Sequence, residues 1–123
     1  MGDNVLKDEG FCFAIRVVRL YQHLVARKQE YVLSKQLLRS GTSVGAMVRE
    51  AEHAQSKADF IHKLSIAQKE TNESLYWLDL LASTDYLIPA QAASLHTDAV
   101  ELLKLLTSIL KTAKSNLKPN INH

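Results

Sequence analysis

Residues Ser56–Ser83 read SKADFIHKLSIAQKETNESLYWLDLLAS, and this stretch decides the fold class. It opens on Ser56-Lys57-Ala58-Asp59, a capping box. In such a box a serine hydroxyl, answered by an acidic side chain three residues later, satisfies the free N–H groups of a helix start. Phe60, Leu64, Ala67, Thr71, Leu75, Leu78 and Ala82 then recur at steps of three and four, with Trp77 and Leu81 beside them. That period places them on one face of a helix over about residues 58–83.

After this helix Thr84-Asp85 supplies turn chemistry, and Pro89 is tolerated in the first turn of a further helix over about 89–116, with Pro119 just beyond it. On the other side, Leu33, Leu37, Val44, Met47 and Ala51 repeat through Ser40 and predict a helix over about 31–55. Arg27-Lys28-Gln29-Glu30 carries no apolar residue and reads as a connection. Before it, Phe11, Ala14, Ile15, Val18, Tyr21 and Val25 define the apolar face of a first helix over about 4–26, widened by Val17, Leu20 and Leu24. The 123 residues hold only four glycines and two prolines, none between Gly10 and Gly41 or between Gly45 and Pro89. An all-β or βαβ chain needs far more turn residues. The expectation is an all-α fold, an antiparallel up-down-up-down four-helix bundle forming a single domain over residues 1–123.

Two details shape that bundle. Gly41 and Gly45 lie four apart inside the second helix, each costing roughly 1 kcal/mol against alanine, which predicts a closely packed neighbour. A phosphate-cradling loop would require Lys-Ser or Lys-Thr after the second glycine, and Gly45 is followed by Ala46-Met47. In the fourth helix, eight of the twelve residues from Ala99 to Leu110 are apolar, where burying one stripe takes about three in seven. The surplus predicts a homo-oligomer, with Val100, Leu103, Leu105 and Ile109 as interface candidates.

Charge is distributed unevenly beneath a formal net +2. Residues 58–89 carry two basic and five acidic groups, whereas the segments 1–31, 32–57 and 90–123 are each net basic. Arg16, Arg19, His23 and Arg27 follow one side of the first helix, and Lys104, Lys111 and Lys118 repeat at seven along the fourth, with Lys114 adjacent. Such stripes either neutralise backbone phosphates or form a solvated outer face. Arg16, Arg19, Arg27, Lys35, Arg39, Lys104, Lys111 and Lys114 are the candidates for phosphate contact, positioning RNA or DNA rather than reading bases. No aromatic platform interleaves with them.

Catalytic and metal chemistry find little footing. Glu50-x-x-His53 and Asp59-x-x-His62 pair a carboxylate with a histidine at i and i+3, as in di-iron bundles. Both flank the turn at Ser56, and the further carboxylates Glu9, Glu30 and Glu101 sit near helix ends, so these are weak metal candidates. Cys12, between Phe11 and Phe13, reads as a packed core thiol, and Ser43 and Ser65 have no activating His or Asp at a telling spacing. The chain is expected to be non-enzymatic and to need no cofactor. A single cysteine, a charged N-terminus and no apolar run near 18–20 residues predict a cytoplasmic protein without a membrane partner.

The blocks Gln36–Ala46 (QLLRSGTSVGA), Val48–Ala51, Ser56–Phe60 and Leu64–Ala67 resemble a bacterial family of four-helix-bundle proteins first noticed as open reading frames in intervening sequences of large-subunit ribosomal RNA genes. The resemblance spans roughly Phe11 to Leu110. Where most members carry an Asn-Ile-Ala-Glu-Gly-like block this chain has Met47-Val48-Arg49-Glu50-Ala51, without the final glycine, as in a variant subgroup. The family is similar in fold and assembly to the accessory protein of diversity-generating retroelements, a pentamer that engages a reverse transcriptase and nucleic acid. The resemblance thus implies a pentameric bundle with a nucleic-acid or ribonucleoprotein partner, and no catalytic residues. A scaffold that binds only protein is the alternative.

Overall fold

Ser56 does begin a helix. Its backbone is extended (φ −157°, ψ 166°), and its hydroxyl accepts a hydrogen bond from the Asp59 N–H at 3.0 Å. The Asp59 carboxylate reaches back to accept from the Gln55 N–H at 3.2 Å, so the box closes one residue earlier than the standard pattern. The structure, a computed structural model, describes the backbone of residues 2–117 and the side chains of residues 5–116. It contains α1 (Gly2–Lys28), α2 (Leu33–Ala51), α3 (Lys57–Ser83) and α4 (Pro89–Leu117). Each helix packs on its neighbours in chain order and α4 closes the ring on α1, the thinnest of the four seams. With connections this short, consecutive helices run antiparallel.

The helix ends are built by specific hydrogen bonds. After α3, Asp85 takes a left-handed conformation (φ 70°), the Tyr86 N–H bonds the Leu81 carbonyl at 2.9 Å and the Asp85 N–H bonds that of Ala82 at 3.2 Å. That is a Schellman closure with aspartate where glycine is usual. Gln29 (φ 54°) ends α1, and the Glu30 N–H bonds the Leu24 carbonyl at 3.0 Å.

Two boundaries differ from the sequence expectation. The second helix stops at Ala51 rather than near residue 55, because the N–H groups of Glu52, His53 and Ala54 each bond a carbonyl three residues back, tightening the chain into turns. The segment Arg27–Glu30 is not a passive connection. Arg27 and Lys28 complete α1, and Glu30, only 7% exposed, caps α2. Its carboxylate accepts from the N–H groups of Val32 (3.1 Å), Leu33 (2.9 Å) and Ser34 (2.6 Å), while the Ser34 hydroxyl donates to the Glu30 carbonyl at 2.8 Å. Burial disfavours the charged form of Glu30, but these N–H donors more than offset it and hold its pKa below the ordinary value.

The core takes Leu6, Phe13, Val17, Leu20 and Leu24 from α1, Leu37, Val44 and Val48 from α2, Leu64, Ala67, Leu78 and Leu81 from α3, and Leu95, Ala99, Leu102, Leu106 and Leu110 from α4. For α1 this corrects the expected face. Phe11 and Ile15 are 55% and 39% exposed, and the residues thought to widen the stripe are its centre. Both sets satisfy helical spacing, and packing against α2 chooses between them. Val17 fits over Gly41, whose added Cβ would lie 2.8 and 2.9 Å from the two Val17 methyls. Gly45 meets Gly10, its added Cβ falling 3.2 Å from the Gly10 carbonyl oxygen. Both expected glycines thus sit at a close helix crossing, and Gly10 is a third participant that spacing alone did not reveal.

Candidate nucleic-acid interface

The eight basic candidates fall into three groups. Arg16 and Arg39 are engaged with acidic partners. The Arg16 guanidinium pairs with Asp98 and donates to the Ser94 hydroxyl at 2.9 Å, joining α1 to α4. Arg39 pairs with Glu73 and with Glu70 (3.3 Å), joining α2 to α3, and the Trp77 indole N–H donates to the same Glu73 carboxylate at 2.9 Å. These half-exposed pairs are worth at most about 1 kcal/mol each, and they remove two cations from the free set.

Lys104, Lys111 and Lys114 form a second group, exposed along the later turns of α4. The third lies at the opposite end of the bundle, where α1 ends and α4 begins. There Arg19, His23, Arg27 and Lys28, with the paired Arg16 at one edge, line two adjoining grooves of about 330 and 580 Å³ that share His23 and Gln91. Leu95 and Leu20 floor the first groove, and Tyr86, Ile88 and Gln91 wall the second. Arg19, Arg27 and Lys28 form no ion pair among the described residues. Lys35 is exposed in the first turn of α2 at this same end, also without an ion pair among the described residues. Between the two basic ends, the α1–α4 seam carries a smaller recess of about 230 Å³ lined by Glu9, Cys12, Phe13, Asp98 and Glu101. Its three carboxylates interrupt the basic stripe, so it is not continuous along the molecule. Sequence spacing identified the arginines but not Lys28, Tyr86 or Gln91, which join them only because α4 starts beside the end of α1.

The metal candidates are not brought together. Glu50 pairs with Lys63 at 3.2 Å, Asp59 is spent on the Gln55 N–H, and His53 and His62 are exposed. His53 lies in the turns beyond the end of α2 at Ala51. Among the described residues, no three His, Cys, Asp or Glu side chains are grouped as metal ligands. Cys12 is exposed rather than packed, the counterpart of the rotated α1 face.

The apolar surplus is also relocated. Val100, Leu103, Leu105 and Ile109 are half-buried, and Leu105 and Ile109 lie against the core, so α4 absorbs much of its own excess. Large apolar side chains are exposed instead at Val5, Phe11 and Ile15 along α1, at Tyr31 and Val32 before α2, at Tyr76 on α3 and at Ile88 before α4. Phe11 walls a groove of about 420 Å³ between α1 and α2, floored by Ala14, Gly45 and Ala46 and edged by Lys7, Arg49 and Glu50. The Arg49 guanidinium carbon lies 6.0 Å from the centre of the Phe11 ring, at the limit of a cation–π contact. No described helix is long and apolar enough to cross a membrane.

Comparison with known proteins places this geometry. A crystal structure of a protein of unknown function from the S23 ribosomal protein family of Bacteroides thetaiotaomicron superposes with a TM-score of 0.89 at 57% identity, covering 90% of this chain and 99% of that one. No curated protein matches the chain. The sequence profile of the 23S rRNA-intervening sequence protein family matches residues 3–108. With that match over most of its length, and the same four-helix fold in a close relative, the chain belongs to the 23S rRNA-intervening sequence protein family.

Proposed function

We propose that this protein is a non-enzymatic, homo-oligomeric scaffold of the cytoplasm that meets nucleic acid, or a ribonucleoprotein, through its basic surface. The observation that carries the reading is the set of cations without acidic partners. Lys7, Arg16, Arg39 and Lys63 are paired with carboxylates, whereas Arg19, Arg27 and Lys28 stand together at one end of the molecule and Lys104, Lys111 and Lys114 follow α4, none of the six in an ion pair among the described residues. Self-association is supported by the exposed Phe11 and Ile15 beside the α1–α2 groove. The pentameric count comes from the resemblance to the retroelement accessory protein. A ring of copies would multiply a modest basic patch by its copy number.

The alternative, a scaffold that binds only protein, draws on the same apolar groove. Light scattering of the purified protein, with and without RNA, separates the two. The proposal expects an oligomer whose mass rises with RNA at low salt. An oligomer indifferent to RNA leaves the protein-only scaffold, and a monomer refutes the assembly.

A further inference from the structure

We infer that the groove between the end of α1 and the start of α4 is the seat for a nucleic-acid backbone, with Arg19, Arg27 and Lys28 on its phosphates and the α4 lysines uninvolved. The inference rests on the nucleic-acid reading above and narrows it to one face. Three independent features single out this groove. First, these cations line a shallow, open concavity of about 330 and 580 Å³ in two adjoining parts that share His23 and Gln91.

Second, its charge is uncompensated. Arg19, His23 and Arg27 succeed one another at i and i+4 with no carboxylate lining either part of the groove. Like charges at that spacing disfavour a helix, and although Arg27 and Lys28 gain from lying in the last turn of α1, Arg19 does not. Asp98, the nearest acid on the α4 wall, is occupied by Arg16. Third, the other residues lining it include the neutral polar side chains of Tyr86 and Gln91, the Gln91 Oε1 accepting from the Ile88 N–H at 3.4 Å.

From Arg19 to Lys28 the helix rises about 13 Å, so the three cations can meet successive phosphates of one strand. The groove offers charge and hydrogen-bonding groups with one tyrosine, Tyr86, rather than a succession of aromatic faces, so it recognises the phosphodiester backbone common to RNA and DNA.

The test titrates the whole protein against a short labelled single-stranded RNA, and a DNA of the same sequence, by fluorescence anisotropy over a range of salt. Two triple variants remove equal charge: Arg19→Gln/Arg27→Gln/Lys28→Gln in the groove and Lys104→Gln/Lys111→Gln/Lys114→Gln on α4. All six positions are exposed, and matched thermal midpoints by circular dichroism verify folding. The groove variant should bind at least about tenfold more weakly at low salt, with the slope of log affinity against log salt reduced by about 2, while the α4 variant keeps both. RNA and DNA should bind within a few-fold of one another. Loss on α4 with the groove variant unchanged, or equal loss in both, overturns the groove assignment but leaves nucleic-acid binding standing. A preference for one nucleic acid above about tenfold overturns the backbone reading. Absence of any binding by the unaltered protein at low salt overturns the functional reading itself.

Discussion

Replacing Gly41 with alanine gives α2 a better helix former, by about 1 kcal/mol, and is nonetheless expected to destabilise the protein. The added Cβ falls 2.8 and 2.9 Å from the two Val17 methyls and 3.2 Å from their Cβ. Val17 is fully buried, and a β-branched side chain in a helix has essentially one χ1 well, so neither methyl can rotate clear. Either α1 and α2 part slightly or Val17 leaves its rotamer. Overpacking of this kind costs about 1–3 kcal/mol, which after the propensity gain leaves a net loss of about 0–2 kcal/mol. The sharper test is the pair. Val17→Ala alone opens a cavity and should cost about 1–3 kcal/mol. On that background the two methyls are gone and only the Cβ at position 17 stays 3.2 Å from the added Cβ, a contact relieved by a shift of a few tenths of an ångström, so Gly41→Ala should lose most of its cost and approach the propensity gain of about 1 kcal/mol. The cost of one substitution therefore depends on the identity of the residue across the seam. Urea unfolding of all four proteins at one fixed concentration, followed by far-ultraviolet circular dichroism, measures the cycle. Effects that add to within about 0.5 kcal/mol would refute the argument that Gly41 is held by Val17.

Three further outcomes follow from the geometry. Because the Glu30 pKa is lowered in the folded protein, its charge contributes stability that is present above its unfolded value and lost as pH falls through the folded one. Glu30→Gln should therefore cost about 1–2 kcal/mol near neutral pH, and the gap from the unaltered protein should narrow in acid; an unchanged gap at pH ~3 would exclude the carboxylate charge as the cause. Cys12 should take up one equivalent of a maleimide in the native protein, and a thiol that reacts only in denaturant would contradict the exposed placement. Asp85→Gly, which removes the Cβ from a left-handed residue at φ 70°, should raise stability by about 0.5–1 kcal/mol, read as a higher thermal midpoint.

The candidate site was legible only in part. Arg19 and Arg27 were visible because steps of three and four along one helix are a local property. Their use could not be read in the same way, since whether an arginine is free depends on what stands opposite. Arg16 and Arg39 look no different in sequence from Arg19, yet Asp98 and the Glu70–Glu73 pair, dozens of residues away, engage them. The metal candidates depend on partners in the same way, since Glu50 is held by Lys63 and Asp59 by the Gln55 N–H, and spacing along the chain signals neither.

By itself the sequence determined the number of helices, their approximate extents and the Ser56 cap, because each depends on side chains within one or two turns of each other. It also marked Gly41 and Gly45 as a close contact, since a glycine inside a helix has a cost that packing must offset. Only the tertiary structure decided which of the two apolar stripes on α1 faces inward, and with that choice the exposure of Phe11, Ile15 and Cys12. The deciding contacts, Val17 over Gly41 and Gly10 against Gly45, join residues on different helices. Periodicity along one helix carries no record of its partner's shape, and two stripes of equal period become unequal only when a second surface must fit one of them.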